Sequence, residues 1–77
     1  MEIQVVGAGC PKCRMVEANV KKACEELNLE AEVSHVYDMR EFLKLGVRIT
    51  PAVLVDGKVV VAGKVPTVEE LKNLLRG

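Results

Sequence analysis

The sequence predicts an α/β fold, a four-stranded mixed sheet flanked by three helices in the order β-α-β-α-β-β-α. Three observations carry this. Short β-branched runs alternate with apolar stripes of helical period. Gly, Pro and capping residues punctuate each change. Two apolar runs separated only by Asp56-Gly57 mark an antiparallel hairpin, because both central positions of such a tight turn want φ > 0.

Residues 2–6 form a β-branched run that stops at Gly7-Ala8-Gly9, a first strand followed by a loop. A helix is expected from residue 11 to about residue 27. Pro11 suits the first helical position, where its missing N–H costs nothing. At about 100° per residue, Val16, Val20, Ala23, Cys24 and Leu27 share one stripe with Cys13. Lys21, Lys22 and Glu25 fall outside it, and the Lys and Glu residues of this helix read as its solvated face. A second strand spans residues 31–37, with Val33, His35 and Tyr37 on one side.

Asp38 reads as the N-cap of a short helix with Glu41 completing a capping box. That helix carries Met39, Phe42 and Leu43 and stops at Gly46. Residues 52–55 and 58–62 are the two hairpin strands. Thr67 and Glu70 form a second capping box, opening a last helix with Leu71, Leu74 and Leu75 expected inward. The first strand–helix–strand unit should be parallel and right-handed. The third strand should lie antiparallel beside the first.

The 77 residues, with 49% hydrophobic and 29% charged, suit one globular domain over 1–77, near the lower size limit for a single unstapled core. Phe42 and Tyr37 are the only aromatics, so aliphatic side chains must fill the core and little stacking surface exists for nucleic acid. Eleven basic and eleven acidic residues give zero net charge, which argues against nucleic acid or an anionic membrane as partner. The first residues show no basic-then-apolar leader, and the apolar runs are too short for a bilayer, so a cytoplasmic monomer is expected. Few amides, with Glu and Lys dominating the charges, lean towards a thermophilic source.

Three cysteines are an odd count, unlike a secreted disulfide scaffold. Cys10-Pro11-Lys12-Cys13 puts Cys10 at the N-cap of the first helix and Cys13 one turn in. Unpaired N–H groups and roughly half a positive charge there favour a thiolate. In such Cys-x-x-Cys sites the thiol pKa falls from about 8.5 to about 7 or lower, and Lys12 adds positive charge. Cys10 is the expected nucleophile and Cys13 the shielded resolving thiol, the pair forming a redox-active disulfide with no further cofactor. Cys24, about 16 Å along the helix from Cys13, is too far for a bond to either and reads as core. His35, on an edge strand, reads as a surface or core histidine rather than a ligand or base. Met15 and Met39 read as gap-fillers. Thr50-Pro51 opens the third strand, beside the end of the first.

Residues 9–13 and 50–60, Gly-Cys-Pro-Lys-Cys and Thr-Pro-Ala-Val-Leu-Val-Asp-Gly-Lys-Val-Val, together resemble the thioredoxin/glutaredoxin superfamily. They are closer still to its small prokaryotic group called redox-active disulfide protein 2, and the likeness covers the whole chain. The resemblance implies a thioredoxin-like fold and a cis Thr50-Pro51 bond facing the cysteines. It also implies a substrate surface of Pro11, Lys12, Thr50 and Pro51, with the Thr50 backbone pairing to an extended segment. Protein disulfides would be the substrates and a thioredoxin-reductase-like protein the electron donor. Thioredoxin itself has Trp before the motif and Gly-Pro within it. This chain has Gly9, and Pro11-Lys12.

The alternative is a small metal carrier using Cys10 and Cys13, since the motif also resembles the loop of heavy-metal-associated domains. Those domains end in a strand, whereas residues 67–75 here are helical in pattern. Zinc as a staple lacks a second Cys/His pair.

Overall fold

Ile3, Val5 and Val6 are fully buried, so the strand that carries them, β1 (Glu2–Val6), needs cover on both faces. The computed structural model, which describes residues 1–7 and 11–76, gives β1 an interior position in a sheet ordered β2-β1-β3-β4. The elements follow in the expected order: α1 (Pro11–Glu26), β2 (Glu32–Val36), α2 (Met39–Lys44), β3 (Ala52–Val55), β4 (Lys58–Ala62) and α3 (Val68–Arg76). β2 runs parallel to β1, while β3 is antiparallel to both β1 and β4. The β3–β4 turn has φ of 49° at Asp56 and 83° at Gly57, the conformation its sequence asks for. Val60 is unmatched in the register, a bulge in β4.

The alternation of side chains along β1 divides the core in two. Ile3 and Val5 join Val53 and Val61 under α1 and α3, through Val16, Val20, Ala23, Cys24, Leu71 and Leu75. Val6, Ala52 and Leu54 point the other way, against Phe42 and Val47. Each fully buried aliphatic side chain contributes roughly 1.5–3 kcal/mol. Asn19 Nδ2 donates to the Pro66 carbonyl at 2.9 Å, and Lys72 meets Glu26 at 3.2 Å, tying α3 to α1.

The ends of α1 and α2 are closed alike. The N–H of Leu29 donates to the Cys24 carbonyl and that of Asn28 to Glu25. The N–H of Val47 donates to Phe42 and that of Gly46 to Leu43. Both are Schellman motifs, the first with Asn28 at φ 52°.

Four expectations fail locally. Asp38 caps α2, but its carboxylate accepts from the Arg40 N–H and holds the Arg40 guanidinium, while Glu41 pairs with Lys44. The reciprocal box with Glu41 is therefore absent among the described contacts. Leu74 is 44% exposed because three leucines on a nine-residue helix span more arc than the sheet covers. Met15 and Met39 fill no gap, since both project to solvent. Glu17 is half-buried rather than on the solvated face.

Candidate active site

The first turn of α1 packs against the end of β1 through Cys13 and Gly7. Pro11 and Lys12 are exposed in its first turn. Cys13, on the apolar stripe, is fully buried. Its Sγ packs directly on Gly7, where a Cβ would overlap the sulfur and lie 3.2 Å from Cys13 Cβ. Gly7 is itself pinned to the sheet, its N–H donating to the Val36 carbonyl at 3.0 Å. The approach of helix to strand thus depends on the missing side chain. Cys10, with Ala8 and Gly9, lies outside the described residues.

The β1–β3 register pairs Val6 with Ala52. Pro51, one residue earlier, is therefore level with Gly7 and at the same end of the sheet as Cys13. The Thr50–Pro51 bond is cis. Pro51 is buried and its carbonyl accepts from the Gly63 N–H at 2.9 Å. Thr50 is exposed, and among the described residues no hydrogen bond is made to its backbone.

His35 is a core histidine, one of the two placements its sequence position allowed. His35 pairs with Val5 across the parallel ladder, which puts its ring on the α1 side of the sheet near the strand end. Its side chain is only 6% exposed. Nε2 lies 3.3 Å from the Gly7 carbonyl oxygen, and Nδ1 lies 3.5 Å from Glu17 Oε1. The ring stacks on Tyr37, centroids 4.0 Å apart. The signals for its contact with Glu17 were the spacing of Glu17, one helical turn beyond Cys13, and the position of His35 on a strand parallel to β1.

Cys24 is buried as expected and in no disulfide, and burial pushes its thiol pKa up. Among the described residues no three His, Cys, Asp or Glu side chains gather as a metal set, and no helix is long and apolar enough to cross a membrane.

A cysteine buried in the first turn of a helix, beside an interior strand and level with a cis-proline, on a sheet ordered β2-β1-β3-β4, is a thioredoxin-like fold. The Thioredoxin domain family matches residues 1–76, and the chain belongs to that family. It is 46% identical over 74 residues to a protein named Thioredoxin from Methanocaldococcus jannaschii, covering 96% of this chain and 85% of that one. It is 37% identical over 75 residues to a protein named Thioredoxin from Methanothermobacter thermautotrophicus, covering 97% of each. The chain is a thioredoxin-like redox protein.

Proposed function

We propose that the chain is a thiol–disulfide oxidoreductase that exchanges with protein disulfides through Cys10 and Cys13. The burial of Cys13 Sγ against Gly7, level with Pro51, is the observation that carries this. A resolving thiol has to be shielded from solvent yet close to the helix N-terminus, and Cys13 meets both needs.

The Cys10 thiolate, favoured by the positive end of the α1 dipole and by Lys12, attacks one sulfur of the substrate. A Cys10–substrate bond forms, and the other substrate sulfur leaves as a thiolate that takes up a proton. Cys13 then loses its proton and attacks the Cys10 sulfur. The Cys10–Cys13 bond forms, the second substrate sulfur departs, and two electrons have passed to the substrate. The disulfide is the redox group, and no other cofactor takes part. Pro11, Lys12, Thr50 and Pro51 form the substrate surface, with the exposed Thr50 backbone pairing to an extended segment. A thioredoxin-reductase-like protein returns the electrons, in the cytoplasm, where thiols are kept reduced.

Two variants test the division of labour. Cys10→Ser should abolish reduction of a protein disulfide. Cys13→Ser should accumulate mixed disulfides through Cys10. If Cys10 of Cys13→Ser is instead inert to alkylation at neutral pH, the two roles are reversed.

A further inference from the structure

We propose that the substrates of this site are protein disulfides set in acidic sequence, drawn in by the unpaired cations Lys12, Arg14 and Arg48 at the Cys13–Pro51 end of the sheet. This rests on the dithiol exchange proposed above and names its substrate class.

The chain has no net charge, yet its charges are sorted along the strands. At the end far from Cys13, Glu2 opens β1 and Glu32 lies opposite it in the parallel ladder. Asp56, in the β3–β4 turn, accepts from the Glu2 N–H at 2.9 Å. Glu30 joins these three around one depression. Lys58 is the one basic side chain of the turn beside them.

At the near end the balance is reversed. Lys12 and Arg14 are exposed in the first turn of α1, on either side of Cys13 in the chain. Arg48 is exposed two residues before Thr50, so its Cα lies within about 7 Å of the Thr50 Cα. Among the described residues none of the three meets a carboxylate. The other charges here cancel locally. Arg40 is held by Asp38 and Lys64 by Glu70, while Glu17 faces the buried ring of His35. Three uncompensated cations remain at the end where the exchange takes place.

Arg48 is fixed between two anchored residues. Val47 is buried, and its N–H donates to the Phe42 carbonyl at 2.8 Å. Ile49 rests on Gly63, where a Cβ would come to 2.7 Å from Ile49 Cγ2. An extended substrate segment pairing with the Thr50 backbone therefore comes next to Arg48 and, at the level of Cys13, next to Lys12. Acidic residues beside the substrate disulfide gain ion pairs there, and basic ones are repelled. The two ends of β1 are about 13 Å apart, beyond the screening length of about 10 Å at 0.1 M salt. A partner at the near end thus meets the cations and little of the acidic end. Such charges act mainly on the rate of encounter.

The test uses the full chain, reduced, with three disulfide-bonded peptides of one ring size. The residues flanking the cysteines are Asp and Glu in the first, Asn and Gln in the second, Lys and Arg in the third. Each rate is divided by that of dithiothreitol with the same peptide, which removes the peptide's own reactivity. At low salt the wild type should favour the acidic peptide over the neutral one roughly tenfold, the lower end of electrostatic steering, and should disfavour the basic one. The preference should fade between about 0.01 and 1 M salt, as the screening length shrinks from about 30 Å to about 3 Å. Arg48→Glu should reduce the preference several-fold. Lys58→Glu, which changes the net charge equally at the far end, should keep it. Equal rates for the acidic and neutral peptides, or a preference that salt does not alter, overturn the proposal. So does a loss in Lys58→Glu as large as in Arg48→Glu, which would belong to net charge alone. If circular dichroism shows Arg48→Glu unfolded, the salt series on the wild type decides. A wild-type protein that reduces none of the three peptides, though dithiothreitol reduces all, overturns the dithiol exchange itself.

Discussion

The Sγ of Cys13 occupies the space that a side chain on Gly7 would fill. Strand end and helix start are thereby locked in one arrangement, and the buried sulfur is held at the level of Pro51. Gly7→Ala should force the sulfur aside or push α1 off β1. The expected cost is about 1–3 kcal/mol, the usual range for overpacking a filled core, together with a loss of disulfide exchange. Denaturant unfolding and a protein-disulfide reduction assay measure the two effects. A variant with unaltered stability and activity would show that helix and strand are not locked by this contact.

α3 depends on its cap. The Glu70 N–H donates to Thr67 Oγ1 at 3.1 Å, and the Thr67 N–H donates to Glu70 Oε1 at 3.3 Å. Thr67→Ala should destabilise the protein by about 1 kcal/mol, read from denaturant unfolding.

The Glu70 carboxylate also sets a pH dependence. A hydrogen bond from Lys64, then one from the Thr67 N–H, hold its pKa below the ordinary glutamate range. A carboxyl lowered in the folded state stabilises above its unfolded value, and that contribution disappears as pH falls through the folded value. The melting-temperature difference between wild type and Glu70→Gln should therefore hold steady near neutrality. It should shrink below about pH 4, the unfolded glutamate value. Both partners are exposed, so the difference should be small and should weaken with salt.

Cys24 should be chemically silent. Burial raises its thiol pKa, so native protein should resist alkylation there at neutral pH and accept the label only on unfolding. Cys24→Ala should cost about 1 kcal/mol, the scale of one buried methylene, and leave disulfide exchange intact. Peptide mapping after alkylation reads this directly. Rapid labelling of Cys24 in folded protein would contradict its core position.

Element order and sheet topology were legible because the punctuation is chemical. Asp56-Gly57 makes its tight turn, Pro11 opens α1, and Thr67 with Glu70 closes into the box its spacing predicts. Asp38 and Glu41 have the same spacing and fail to do so, because Arg40 claims the Asp38 carboxylate with both backbone and side chain. Apolar type alone overstated burial at Met15, Met39 and Leu74, since residue identity does not say how much arc of a short helix the sheet covers. In the site, the burial of Cys13 follows from the helical stripe, and the level of Pro51 from the topology. The His35–Glu17 contact was not legible. It joins two elements whose rotation about their axes is fixed only by packing, and Glu17 taken alone resembles its solvated neighbours.

The dithiol exchange is tested most directly by mass spectrometry of the reduced protein after reaction with one equivalent of a disulfide-bonded protein, each thiol alkylated before mapping. The account predicts a Cys10–Cys13 disulfide, Cys24 recovered as a thiol, and two new thiols on the substrate. A product bond that includes Cys24 would contradict it. So would reduced protein that retains zinc or copper(I) stoichiometrically against a chelator and leaves the substrate disulfide unbroken, which is the behaviour of a metal carrier.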